Sequence, residues 1–125
     1  MGSKPDPKIL VCVPAYNEEE TISEIIGKSK KYAHAVIVYD DGSTDNTYEI
    51  AKSAGASVIR NPENKGYGVA IRSLFQAAKE QDADIMVTLD SDGQHNPDQI
   101  PDLIEPLRQG FDVVIGSRFL RNDDK

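Results

Sequence analysis

Short apolar runs alternate along this chain with stripes of apolar residues at helical spacing. Ile9 to Val13, Ala35 to Tyr39, Ser57 to Arg60, Ile85 to Leu89 and Asp112 to Ile115 read as strands, the first as a strand buried on both faces and stopped by Pro14. Between them, Ile22, Ile25 and Ile26 mark one helix face, with Asn17 as N-cap and Glu18, Glu19 and Glu20 in its first turn. Ser43 or Thr44 caps a second helix with an inner face of Thr47, Ile50, Ala51 and Ala54, ended by Gly55. Gly66 and Gly68 open a third, with Ile71, Leu74, Phe75 and Ala78 as its stripe. Asn96-Pro97 starts a fourth over Ile100, Leu103, Ile104 and Leu107, interrupted by Pro101 and Pro106. Strands alternating with helices predict an α/β fold, a doubly wound and mostly parallel sheet of about five strands with helices on both faces.

The polar residues fall where such a sheet binds ligands, after the C-terminal ends of its strands. The first strand runs into Pro14-Ala15-Tyr16-Asn17-Glu18 and the second into Asp40-Asp41-Gly42-Ser43. The fourth runs into Asp90-Ser91-Asp92-Gly93-Gln94-His95 and the fifth into Gly116-Ser117-Arg118. Each is ordinary turn chemistry when taken alone. Together they collect carboxylates on one rim, with Arg118 as a cation and Tyr16 as a flat aromatic. In extended backbone Asp90 and Asp92 point to one side, and two carboxylates held together favour a proton or a cation between them. Oxygen ligands of this kind suit Mg²⁺ or Mn²⁺ on a substrate diphosphate.

The absence of G-x-G-x-x-G after the first strand disfavours a dinucleotide oxidoreductase, and the absence of G-x-x-x-x-G-K-[ST] disfavours a P-loop enzyme. Three glutamates after the first strand would repel a pyrophosphate, which leaves the phosphates to the Asp90 turn. The ends of the first two strands are then left for base and ribose. Tyr16 either packs on a base or is a surface aromatic, and Asp40 or Asp41 can accept from base or ribose donors.

Composition narrows the partners. The chain has 125 residues, enough for one domain, and a formal net charge of −7, which argues against nucleic acid and against electrostatic binding to anionic lipid. No apolar stretch approaches the roughly 20 residues of a membrane span. The single cysteine, Cys12, lies in an apolar run and reads as a buried small hydrophobe. His34 reads as structural, and His95 either tunes the acidic turn or merely forms it. Residues 1–8 read as a disordered or tag-derived start, 9–120 as one nucleotide-binding domain and 121–125 as a charged tail, with a cytoplasmic location expected. An unpaired edge at the fifth strand would invite self-association into a homo-oligomer.

Val13 to Glu19, Asp40 to Asp45, Asn64-Lys65-Gly66-Tyr67-Gly68, Asp90 to His95 and Gly116-Ser117-Arg118 together resemble the inverting glycosyltransferases of the A-type fold. The D-x-D-G-Q-H form and G-S-R-F are most similar to the dolichyl-phosphate mannose or glucose synthase branch. The resemblance implies that 9–120 is a nucleotide-sugar-binding domain, with a GDP- or UDP-sugar lying against Pro14, Tyr16, Glu18, Asp41, Lys65 and Asp90. It implies Mg²⁺ or Mn²⁺ on Asp90 and Asp92 with Gln94 joining, and Asp92 and Arg118 as the catalytic pair near the donor phosphates. It also implies a polyprenyl phosphate acceptor, with catalysis at the cytoplasmic face of a membrane. Members of the family are longer, so the chain reads as truncated, the N-terminal donor-binding part. The competing reading is a nucleotide or nucleotide-sugar binding module without chemistry. A phosphate-sensing domain like the response regulators ranks low, because Pro14 and Arg118 stand where it needs acidic residues and a lysine.

Overall fold

The structure, a computed structural model, describes residues 8–89 and 112–115. In chain order it contains β1 (Ile9–Ala15), α1 (Ile22–Ser29), β2 (Ala35–Asp41), α2 (Thr47–Ser53), β3 (Ser57–Asn61), α3 (Tyr67–Glu80), β4 (Ile85–Thr88) and β5 (Asp112–Ile115). The strands form one sheet in the order β3-β2-β1-β4-β5. Every described pairing is parallel. The fourth helical stripe, at Ile100 to Leu107, lies outside the described residues.

Side chains alternate across β1, so its two faces build two cores. Ile9, Val11, Val13 and Ala15 pack with Ile22, Ile25 and Ile26 of α1 and Ala51 of α2. Leu10 and Cys12 turn the other way, with Ile37, Tyr39 and Met86, onto Ala70, Leu74 and Ala78 of α3. Each fully buried aliphatic side chain in these layers contributes about 1.5–3 kcal/mol relative to exposure. Burial pushes the Cys12 thiol up to about 12, so it behaves as an inert core residue. His34 ties the start of β1: its Nδ1 accepts from the Ile9 N–H at 3.1 Å, and its own N–H donates to the Ile9 carbonyl at 2.8 Å. Both residues therefore fill the structural roles their sequence context suggests.

Several local expectations are corrected. β1 does not stop at Pro14 but runs to Ala15. Successive strand residues address alternate neighbours, and the Cys12 carbonyl accepts from Leu89 on the β4 side. Pro14 therefore turns its missing N–H toward β4, past the last β1–β4 pair, Cys12 with Thr88. α1 begins at Ile22, so Asn17 is not its cap and Glu18, Glu19 and Glu20 lie in the preceding turn. Neither Ser43 nor Thr44 caps α2, which follows Asn46; Asp45 instead accepts from the Thr47 N–H. On α3 the buried stripe is Ala70, Leu74 and Ala78, while Phe75 is 38% exposed with the Lys79 ammonium 5.6 Å from its ring centre. Ile71 and Phe75 belong to the stripe expected from hydrophobicity, but the residues that α3 buries against the sheet are Ala70, Leu74 and Ala78.

Candidate functional site

β2 and β3 follow β1 to one side of the sheet, and β4 and β5 lie on the other. The order reverses between β1 and β4, and ligands of open α/β sheets bind at the strand ends beside such a reversal. β1 delivers Pro14, Tyr16 and Glu18 to that point. β4 delivers the chain to Leu89, whose N–H donates to the Cys12 carbonyl at 3.1 Å. The expected ligands Asp90, Asp92 and Gln94, and Arg118 after β5, lie outside the described residues. Among the described residues no group of three or more His, Cys, Asp or Glu side chains converges for a metal.

What the structure does bring together is the ends of β1 and β2. Pro14 pairs with Tyr39 and Ala15 with Asp40 across the ladder. Tyr16 is 44% exposed, and Glu18 is half-buried. The Asn17 backbone is left-handed, with φ 53°. Its N–H donates to Ser43 Oγ at 2.8 Å, while its Oδ1 accepts from the Thr44 N–H at 2.8 Å and the Asp45 N–H at 3.4 Å. The Glu18 N–H donates to Thr47 Oγ1 at 2.9 Å, and the Glu19 N–H to Asp45 Oδ2 at 3.3 Å. In return Glu19 Oε1 accepts from the Asn46 N–H at 3.1 Å. The loop after β1 and the loop after β2 are thus one interlocked unit.

Asp45, just before the start of α2, closes this unit. Desolvation pushes its carboxyl up, but the Thr47 hydroxyl and N–H, the Glu19 N–H and its own N–H together more than offset that and hold it below the usual carboxylate range. Asp45 Oδ1 accepts from both the Thr47 N–H and the Thr47 hydroxyl.

The paired aspartates at the end of β2 face opposite ways, as strand neighbours must. Asp40 is fully buried on the α2 side. Its Oδ1 accepts from the Ser43 N–H at 3.0 Å; its Oδ2 has no hydrogen bond and lies 3.8 Å from Arg60 Nε on β3. The Arg60 guanidinium in turn sits 4.6 Å from the centre of the Tyr48 ring. Asp40 is therefore enclosed, and of the two residues offered for base or ribose contacts only Asp41 borders the rim. Asp41, 6% exposed, accepts from the Lys65 N–H at 2.7 Å and the Gly66 N–H at 2.9 Å, one on each oxygen. An ionised carboxylate offers about four acceptor positions, so two remain. Lys65 points its ammonium to Glu63 at 3.0 Å on the surface.

Gly42, between Asp41 and Ser43, has φ +77°, and a Cβ there would stand 2.6 Å from the Asn64 backbone nitrogen. Residues 64–66 lie against β2 because that side chain is missing. The tie made by Asn17, the acceptor role of Thr47 and the close approach at Gly42 all escape the periodicity of the sequence. The one available signal is that asparagine, of all non-glycine residues, enters left-handed backbone most readily.

Residues 10–125 match the family described as Glycosyl transferase family 2. The chain is 36% identical over 132 residues to the UDP-N-acetylglucosamine–dolichyl-phosphate N-acetylglucosaminyltransferase of Methanococcus voltae, covering 90% of this chain and 53% of that protein. It is 35% identical over 122 residues to the dolichol-phosphate mannosyltransferase of Pyrococcus furiosus, covering 91% of this chain and 34% of that protein. Glucosyl-3-phosphoglycerate synthase from Mycobacterium tuberculosis, solved with Mn²⁺, UDP-glucose and phosphoglyceric acid, superposes with a TM-score of 0.68 at 33% identity. That match covers 83% of this chain and 40% of the synthase, which has also been solved with Mg²⁺ and UDP. The chain thus spans about half or less of the length of these relatives. Fold and sequence agree, and the chain belongs to glycosyl transferase family 2.

Proposed function

We propose that this chain is the donor-binding part of a metal-dependent, inverting glycosyltransferase. It takes a sugar from a GDP- or UDP-sugar and passes it to a polyprenyl or dolichyl phosphate. The observation that carries this is the interlocked rim: Pro14, Tyr16, Glu18 and Asp41 are held together where the strand order reverses, beside the strand that leads into Asp90-Ser91-Asp92. Tyr16 offers a flat exposed face for a base, and Asp41 keeps acceptor positions for its N–H groups. Glu18 accepts from ribose hydroxyls. Lys65, on exchanging Glu63 for phosphate, adds a cation on the same side.

The donor set of Asp90, Asp92 and Gln94 is all oxygen and fits a hard divalent ion. Mg²⁺ or Mn²⁺ held there would offset the charge that develops on the leaving diphosphate, a contribution of several kcal/mol. An acceptor phosphate oxygen forms the new bond to the anomeric carbon. The bond from that carbon to the diphosphate breaks, and the diphosphate leaves with the electron pair. The acceptor oxygen is already anionic, so no general base is needed, and Arg118 steadies the phosphates. Attack opposite the leaving group inverts the anomeric centre.

The test is a titration with UDP and GDP, in Mn²⁺ and in chelator, read by thermal unfolding. A specific ligand at 100 times its dissociation constant adds about 2.7 kcal/mol of stability. One nucleoside diphosphate is expected to stabilise the chain, more strongly with metal, and Asp92→Asn is expected to remove the metal-dependent part. No stabilisation by either nucleotide overturns the reading. Binding without sugar transfer in any longer form that carries this domain leaves a binding module.

A further inference from the structure

Asn17 stands between Tyr16 and Glu18 and carries most of the connection from the β1 loop to the β2 loop. We infer that Asn17 is a positioning residue for the nucleoside pocket, holding Tyr16 and Glu18 in register with Asp41 without touching the nucleotide itself. This rests on the nucleotide-binding reading above.

Three observations converge on it. The backbone at Asn17 is left-handed, φ 53°, and bends the chain between the two residues that would meet base and ribose. A short amide tolerates that conformation where other side chains resist it. Its Oδ1 gathers two successive backbone donors, Thr44 and Asp45, while its own N–H is held by Ser43 Oγ. The Thr44 hydroxyl adds a fourth contact at 3.4 Å. All the partners lie within four residues of Asp41, whose carboxylate is itself fixed by the Lys65 and Gly66 N–H groups. A pocket whose walls come from separate loops gains affinity when those loops are fastened before the ligand arrives.

The experiment separates the amide from the backbone. Asn17→Gly keeps the left-handed conformation and removes the acceptor; Asn17→Asp keeps both. Dissociation constants for UDP and GDP in Mn²⁺, and for the nucleoside monophosphates in chelator, are measured at a temperature where circular dichroism shows each protein fully folded. Asn17→Gly is expected to weaken binding about tenfold, by the same factor with and without the metal, since the metal ligands sit on another loop. Asn17→Asp is expected to stay within about threefold of the unmodified chain. Ser43→Ala, which releases only the Asn17 N–H, gives a smaller loss of the same kind and serves if Asn17→Gly does not fold. Unchanged affinity in folded Asn17→Gly or Ser43→Ala, or equal losses in the Gly and Asp variants, overturns the inference while leaving the nucleotide site standing. Failure of the unmodified chain to bind any of these nucleotides removes the functional reading, and the inference with it.

Discussion

Two loops meet at the end of β2, and they are held there by different means. The loop after β1 is tied to the loop after β2 through Asn17, Glu18, Glu19, Ser43, Asp45 and Thr47, with donors and acceptors on both sides. Residues 64–66 are held by one buried carboxylate, Asp41, and by one absent side chain, at Gly42. The first arrangement is redundant and largely wet. The second is concentrated on a single buried side chain. Where many bonds share a task, losing one costs about 0.5–1.5 kcal/mol; where one buried ion accepts two amides, removing it strands both. The rim therefore has a forgiving side and a brittle side, and both border the proposed nucleoside pocket.

The sharpest break in that comparison is Gly42→Ala. An alanine must adopt left-handed backbone and meet the Asn64 nitrogen, which is backbone and cannot rotate away. The expected loss is about 2–4 kcal/mol, combining the left-handed strain with overpacking. Urea denaturation reads it as a lowered midpoint at unchanged slope. A loss under about 1 kcal/mol would mean that residues 64–66 yield freely, and the contrast between the two loops would disappear.

Asp41→Asn comes next. The amide keeps one acceptor oxygen and turns an NH₂ group toward whichever of the Lys65 and Gly66 N–H groups it does not accept. The expected cost is about 1–3 kcal/mol, against about 0.5–1.5 kcal/mol for Ser43→Ala on the redundant side. Equal costs for the two substitutions, measured by the same denaturation, would show that the sides do not differ.

The same contrast explains what was legible in the sequence. Burial of apolar residues repeats with the period of the backbone, so Val11, Val13, Ile22 and Ile26 announced one core and Leu10, Ile37 and Leu74 the other. The alternation of strands and helices carried the doubly wound fold. The motifs at the strand ends carried Pro14, Tyr16, Glu18 and Asp41 to one rim. Polar ties between loops have no period. Asn17 followed by three glutamates has the composition of a helix start, and only the fold shows that its amide is used by Thr44 and Asp45 across the rim instead. Phe75 differs for a related reason: hydrophobicity alone points it inward, whereas α3 buries Ala70, Leu74 and Ala78 and leaves Phe75 at the surface. In the sequence Asp40 and Asp41 are alternatives for the same base or ribose contacts. Strand alternation separates them, turning Asp40 to Arg60 and Asp41 to the rim.

The smallest expected effect lies on the redundant side and depends on pH. Asp45 has its carboxyl held below the usual range by donors that the unfolded chain does not supply. A carboxyl depressed in the folded state stabilises above its unfolded value, about 3.9, and that stabilisation is lost as the pH falls through the folded value. Asp45→Asn should therefore cost stability at pH 7, and the gap between the two proteins should narrow as the pH is lowered below about 4. Asp45 is only half-buried, so solvent screens the interaction and the gap at neutral pH should be a few tenths of a kcal/mol. Comparing the two proteins at each pH cancels the titration of the other carboxylates. A gap that stays constant across the acid range would mean that Asp45 acts by shape rather than by charge. A gap as large as that of Asp41→Asn would mean that the bonds around Asn17 are not redundant after all.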